Sequence, residues 1–339
     1  MRLRCHPYTL EMRHAFNLAS SSRTTTPVVL VEVEWEGWTG HGEASMPPYL
    51  GESHESVLAF LARVDLEAFA DPFALEDILT AVDAIAPGNT AAKAAIDIAL
   101  HDLVGQLLGQ PWWRLWGLTR DKAPPTTFTL GIDAPDVMRA KTREAAGFRM
   151  LKLKMSEEHH LDLVDVVRDI TDVPFTVDAN GGWGDRGEAL ERIHALAARG
   201  CVLVEQPLDR SRRDDLAWLT ERSPVPVIGD EGIRRVGDLR GAVGVYTGVN
   251  IKLMKCTGMR EAMNMLTTAR AFGLQVMVGC MTETSCAVSA AAQLSPLADF
   301  ADLDGALLIR NDPFEGLEVV NGVVMPPERP GLGVRRRVL

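Results

Sequence analysis

Beyond about residue 125 the chain alternates between short apolar runs and longer amphipathic stretches. Strand-like runs fall at 126–132, 150–155, 174–178, 201–205, 225–230, 249–253, 274–279 and 301–304. Between most successive pairs lies a stretch with apolar residues at helical spacing, such as 135–146, 161–170 or 187–198. Gly147, Gly200 and Gly273 stand where those helices end, in the position after the last turn that favours glycine. This alternation predicts an α/β protein built on a closed parallel barrel. The competing arrangement, an open doubly wound sheet, lacks the GxGxxG run that follows its first strand.

The first third is patterned differently. Residues 27–35 (PVVLVEVEW) alternate like a strand, and Gly37 to Gly40 supply a turn. Asn89 or Thr90 is expected to cap a helix through 91–109, with Ile96, Leu100, Leu103 and Leu107 on its apolar face. From about Pro313 the chain is Gly/Pro-rich and strand-like. The predicted divisions are an N-terminal α+β part at 1–122, the barrel at 123–312 and a C-terminal segment at 313–339.

Length and composition narrow the class. The 339 residues suffice for a barrel and a smaller second domain, and 46% hydrophobic with 24% charged residues is ordinary for a globular protein. A net charge of −11 argues against nucleic acid or an anionic membrane as partner. Five cysteines without a CxxC pair argue against a disulfide framework. The first residues, MRLRCHPYTLEMRHAF, lack the apolar core of a signal peptide. Apolar runs fall short of the roughly 20 residues of a membrane helix. A cytoplasmic protein is the expectation.

Polar residues interrupt the strands where apolar ones belong. Lys152 and Lys154 sit two apart on the second run (MLKLKM), so they share one face. Asp178 closes the third run, Glu205 the fourth and Asp230 the fifth, while Lys252 lies on the sixth. From Lys154 onward the intervals are 22 to 27 residues, one strand-plus-helix repeat each, so these residues come from successive strands. Barrel enzymes build their sites at the C-terminal ends of the strands. Three carboxylates on adjacent strands there suit a hard cation, Mg2+ before zinc. Strands two and six of eight are diametrically opposed, so Lys154 and Lys252 are expected to face each other across the ion. Removing a proton next to a carboxylate leaves two negative oxygens, which a dication stabilises. A base on each face lets the proton leave one side and return on the other, inverting the carbon. One Asp or Lys at a strand end is usually a cap or a solvated side chain; five ordered positions on five consecutive strands are not.

The motifs Lys152-x-Lys154, Asp178-Ala179-Asn180, Glu205-Gln206-Pro207, Asp230-Glu231 and Asn250-Ile251-Lys252 resemble the muconate-lactonising subgroup of the enolase superfamily, across essentially the whole chain. The resemblance implies a TIM-like (β/α)7β barrel under an α+β capping domain formed by both ends of the chain. It implies one Mg2+ per subunit on Asp178, Glu205 and Asp230. It also implies Lys154 and Lys252 as the acid/base pair, Lys154 serving the D centre and Lys252 the L centre. Gly232 departs from the pattern, since many relatives carry Ser after the Asp-Glu pair.

Members of the subgroup share this machinery and differ in substrate. Asp302 and Asp304 on the last run share a face, and two anions at the mouth suit a substrate with a cation, such as the free ammonium of a dipeptide. This Asp-x-Asp resembles the dipeptide epimerases. Ser21-Ser22-Arg23-Thr24-Thr25 resembles the capping-loop segment of L-Ala-D/L-Glu epimerases, whose arginine reads the side-chain carboxylate of a C-terminal Glu. The resemblance further implies substrate contacts at Thr129, Lys152, Cys280, Met281, Thr282 and Glu283. The loop 46–51 is apolar enough to close over a small N-terminal side chain. The expectation is an isomerase interconverting L-Ala-D-Glu and L-Ala-L-Glu, as in murein peptide recycling. Its partner is a small dipeptide, with no nucleic acid and no membrane, and homo-oligomerisation stays open. The alternatives are N-acylamino-acid racemase, o-succinylbenzoate synthase and muconate cycloisomerase, and beyond these a non-catalytic barrel.

Overall fold

A computed structural model describes residues 1–17, 22–157 and 161–337. The first third forms an antiparallel meander of β1 (Arg2–Asn17), β2 (Ser22–Trp35) and β3 (Trp38–Ser45). Three helices follow: α1 (His54–Leu61), α2 (Leu75–Ala84) and α3 (Thr90–Leu107). The alternating run at 27–35 lies in β2 as expected. Helix α3 is buried on nearly every side from Ala91 to Gly105 and packs on β2 and β3. That approach requires glycine in β3: a Cβ at Gly40 or Gly42 would drive into the carbonyl oxygens of Ala99 and Ala95.

The start of α3 corrects the sequence reading. Asn89 takes a left-handed backbone (φ 50°) and its side chain makes no capping bond. The carboxylate of Glu52 caps the helix instead, accepting from the amides of Ala91 at 2.9 Å and Ala92 at 3.3 Å. An anion there also meets the positive end of the helix dipole.

The barrel strands are β4 (Phe128–Leu130), β5 (Leu151–Lys154), β6 (Phe175–Asp178), β7 (Cys201–Glu205), β8 (Val227–Gly229), β9 (Gly248–Lys252), β10 (Gln275–Gly279) and β11 (Phe300–Asp302). They pair in parallel in sequence order. The seam closes where Thr126 bridges Ala301 and the Thr127 amide donates to the Ala301 carbonyl at 3.1 Å. Each strand but the last is followed by a helix, including Pro135–Glu144, Leu161–Arg168, Arg186–Ala197, Met259–Ala271 and Ser285–Ala292. The pattern is (β/α)7β, as expected. The helix after β8, Leu239–Ala242, is a single turn; Gly237, Gly241 and Gly244 crowd that segment and weaken anything longer. Gly147, Gly200 and Gly273 take positive φ where the sequence placed them. Leu203, Ile228 and Met277, two residues before Glu205, Asp230 and Gly279, pack together as a small buried cluster.

The C-terminal segment runs back over the first third. The Leu332 amide donates to Asp102 at 2.8 Å, Trp113 Nε1 donates to the Pro327 carbonyl at 2.9 Å, and Arg336 pairs with Glu32. All five cysteines are free thiols. Among the described residues no helix is long and apolar enough to cross a membrane.

Candidate active site

Parallel register brings the strand-end residues to one rim. Lys154 pairs with Asp178 and Asp178 with Glu205; across the barrel Lys252 pairs with Gly279, and Gly279 with Asp302. Asp230 follows β8 directly. Strands β5 and β9 are four apart in a ring of eight, so Lys154 and Lys252 stand on opposite walls. Both line one pocket, together with Lys152, Asp230, Asp302 and Asp304.

Lysine and carboxylate alternate around that pocket. Lys152 Nζ, almost fully buried, lies 2.6 Å from Glu205, 2.7 Å from Asp302 and 3.0 Å from Asp178. Lys154 Nζ sits 2.6 Å from Asp178, and Lys252 Nζ 2.8 Å from Asp230. Burial alone would pull the Lys152 ammonium down, but Asp178, Asp302 and Glu205 lift it well above its ordinary value. Lys252 is lifted likewise against its burial, by Asp230, Tyr49 and Glu205. Burial would raise Asp178, yet Lys152, Lys154 and Lys252 hold it far below the usual carboxylate range. Glu205 goes the other way: burial and the neighbouring Asp178 push it up to about 7 despite two lysines.

A second layer braces these groups. Asn250 Nδ2 donates to Glu205 at 2.7 Å. Lys255, completely buried, donates to the Asp230 carboxylate, to the Asp230 carbonyl at 2.7 Å and to the Asn250 carbonyl at 2.9 Å. Gln206 Oε1 accepts from the Asp230 amide at 3.0 Å. Asn180 and Gln206, just beyond Asp178 and Glu205, hold left-handed φ of 45° and 39°. Such strain persists where surrounding bonds over-determine it.

The mouth is closed by Arg23, Pro47, Tyr49, Thr129, Cys280, Met281 and Thr282. Arg23 Nη2 donates to Thr282 Oγ1 at 3.0 Å, and Tyr49 from the 46–51 loop reaches Met281 Sδ at 3.4 Å. Ser21, beside the arginine in the sequence motif, lies outside the described residues.

Residues 136–337 match the family described as enolase C-terminal domain-like, and 5–117 match the N-terminal domain of mandelate racemase/muconate lactonizing enzyme. The chain belongs to the mandelate racemase/muconate lactonizing enzyme family of the enolase superfamily. It is 58% identical over 337 residues to the L-Ala-D/L-Glu epimerase of Bacteroides thetaiotaomicron, covering 99% of this chain and 88% of that one. The substrate-liganded L-Ala-D/L-Glu epimerase of Bacillus subtilis superposes with a TM-score of 0.93 at 27% identity, over 100% of this chain and 99% of that one. The dipeptide epimerase of Enterococcus faecalis, solved with Mg and L-Leu-L-Tyr, superposes at 0.89 with 31% identity, over 98% of each chain.

The donor set fits the family's magnesium. Asp178, Glu205 and Asp230 offer only carboxylate oxygens from three adjacent strands, the ligand type a hard dication takes. The raised Glu205 marks a buried concentration of negative charge that a cation relieves. In the present side-chain positions no trio of acidic, His or Cys side chains among the described residues converges on one point. Lys152, Lys154 and Lys252 hold those oxygens.

Two sequence expectations change in detail. Asp302 is already engaged, one oxygen by Lys152 and the other by Thr127 Oγ1 at 2.6 Å. Asp304 accepts from the Thr129 amide at 2.6 Å, and burial beside Asp302 pushes it up to about 7. The two aspartates are therefore unequal. Glu283 does not line the pocket with its three predecessors; its carboxylate folds back to accept from the Met281 amide at 2.8 Å. Sequence reasoning missed Lys255 and Asn180. Asn180 was visible beside Asp178, but Lys255 in LMKC has the look of an ordinary surface lysine.

Proposed function

We propose that this chain is a dipeptide epimerase that inverts the α-carbon of the C-terminal residue, with L-Ala-D-Glu and L-Ala-L-Glu as its substrate pair. The observation that carries this reading is the pair of lysines on opposite walls of one pocket whose third wall bears Asp302 and Asp304. Lys154 removes the α-proton from the D epimer and Lys252 from the L epimer, and the opposite lysine returns it. Asp178, Glu205 and Asp230 would hold one Mg2+ per subunit, which would supply positive charge for the substrate carboxylate as its neighbouring carbon loses the proton. Asp304 takes the substrate ammonium: its raised titration is that of a buried acid lacking a counter-cation. Asp302 acts at one remove, fixing Lys152. Arg23, held by Thr282, meets the side-chain carboxylate of Glu. An N-acylated amino acid or muconate has no ammonium for Asp304, which disfavours the racemase and cycloisomerase alternatives. The name of the Bacteroides relative supports the same substrate. A cytoplasmic role in recycling cell-wall peptides follows from that substrate.

The test is incubation of the purified protein with Mg2+ and each Ala-Glu epimer in D2O. Deuterium at the α-carbon with interconversion of the epimers is expected. Faster turnover of an N-acylated amino acid than of any dipeptide would overturn the reading.

A further inference from the structure

Strand β3 of the cap does not line the lysine pocket, yet it grips the turn that follows β10. Ser45 Oγ donates to the Thr282 carbonyl at 2.7 Å. Glu43, two residues earlier and so on the same face, accepts from the Thr284 amide at 3.0 and 3.1 Å and also hydrogen-bonds the Thr284 hydroxyl. Thr284 in turn caps the helix Ser285–Ala292 through the Cys286 amide at 3.1 Å. The same short turn carries Met281 and Thr282 on the pocket wall, and Thr282 Oγ1 holds Arg23. A chain of hydrogen bonds thus runs from the cap's buried acid, through a barrel turn, to a second point of the cap at the pocket mouth.

Glu43 is completely buried, and among the described residues no ion pair holds it. Its acidic surroundings are Glu283 from the turn and Asp312 from the end of the barrel segment, with the Cys286 thiol nearby on the following helix. A buried acid in such company is costly unless its position is needed.

We propose that Glu43 is a positioning residue for substrate selection: with Ser45 it fixes the turn after β10 so that Thr282 holds Arg23 against the substrate's side chain. This rests on the assignment of Arg23 as the reader of a Glu side chain. Burial pushes the Glu43 carboxyl up to about 8, so near neutrality it works as the uncharged acid and Gln can take its place.

The experiment measures the preference for L-Ala-L-Glu over L-Ala-L-Ala, as a ratio of kcat/KM, in a set of variants. Glu43→Gln keeps the wild-type ratio. Glu43→Ala lowers it by about tenfold or more, the scale of the Thr282 hydrogen bond to the Arg23 guanidinium that the turn supports, and does so through KM. Glu43→Asp, which retracts the carboxyl, serves if the alanine variant is unstable. Thr282→Val reproduces the loss without touching the cap, and Thr282→Ser restores the ratio. If Arg23→Met moves the ratio while neither Thr282→Val nor the Glu43 variants do, the relay is wrong and the substrate assignment stands. If Arg23→Met leaves the ratio unmoved, the assignment itself falls and takes the relay with it.

Discussion

Two groups of buried acids in this molecule are pushed in opposite directions from the ordinary carboxylate range. At the barrel rim Asp178 and Asp230 stay far below the ordinary carboxylate range, because Lys152, Lys154, Lys252 and Lys255 outweigh their burial. Behind β10, burial pushes Glu43 up to about 8 and Glu283 up to about 7, with no such cluster of ammonium groups in contact. Depth is the same in both places. What differs is the company: a buried carboxylate stays charged only where cations face it. Glu205, paired with Lys152, and Asp304, beside Asp302, show the boundary, since both rise to about 7. In both, burial and a neighbouring carboxylate outweigh the nearby ammonium.

The rim breaks most completely if its ion-binding carboxylates are altered. Asp178→Asn, Glu205→Gln or Asp230→Asn abolishes epimerisation, excess EDTA does the same to the wild type, and Mg2+ restores the chelated protein. Full turnover in EDTA would end the case for a metal. Removing either lysine comes next. Lys154→Ala and Lys252→Ala each cut inversion by at least about 10³, while NMR in D2O shows the first still exchanging the α-proton of the L epimer and the second that of the D epimer. Inversion at the wild-type rate by either would refute two opposed bases.

Asp304→Asn sharpens the distinction between the two aspartates. Leaving a desolvated ammonium unpaired costs roughly 3–5 kcal/mol, or about 10²–10³ in kcat/KM at 1.4 kcal/mol per tenfold. N-acetylated dipeptides, which bring no ammonium, lose much less. Equal losses for both substrate types would remove Asp304 from ammonium recognition.

The smallest effect lies in the acids behind β10. Between about 4.5, its ordinary value, and about 8, folded Glu43 binds a proton that the unfolded chain releases. Its contribution is therefore complete below that window and is lost as pH rises through it. Glu43→Gln should give a Tm that declines less steeply from about pH 5 to pH 9, with the two curves diverging by roughly 5–10 °C. Parallel curves would mean that Glu43 is charged after all.

The barrel and its rim were legible because five successive strands are short apolar runs ended by a polar residue that apolar packing cannot explain. Lys154, Asp178, Glu205, Asp230 and Lys252 all announced themselves in this way. What stayed hidden depends on contacts between distant segments. Glu52 caps α3 across 39 residues while the local candidate Asn89 turns aside. Lys255 is defined by burial against Asp230, which no periodicity in LMKC reveals. The backward fold of Glu283 and the engagement of Asp302 by Lys152 are choices of side-chain direction that a linear motif does not encode.

The barrel seam separates two kinds of change. Asp302 and Asp304 are anchored by Thr127 and Thr129, where the first strand meets the last. The carboxylates proposed to hold the ion stand on β6, β7 and just past β8. Replacements at the two ends of the barrel segment therefore act first on the proposed ammonium site, and reach the proposed ion site only through Asp302 and Lys152.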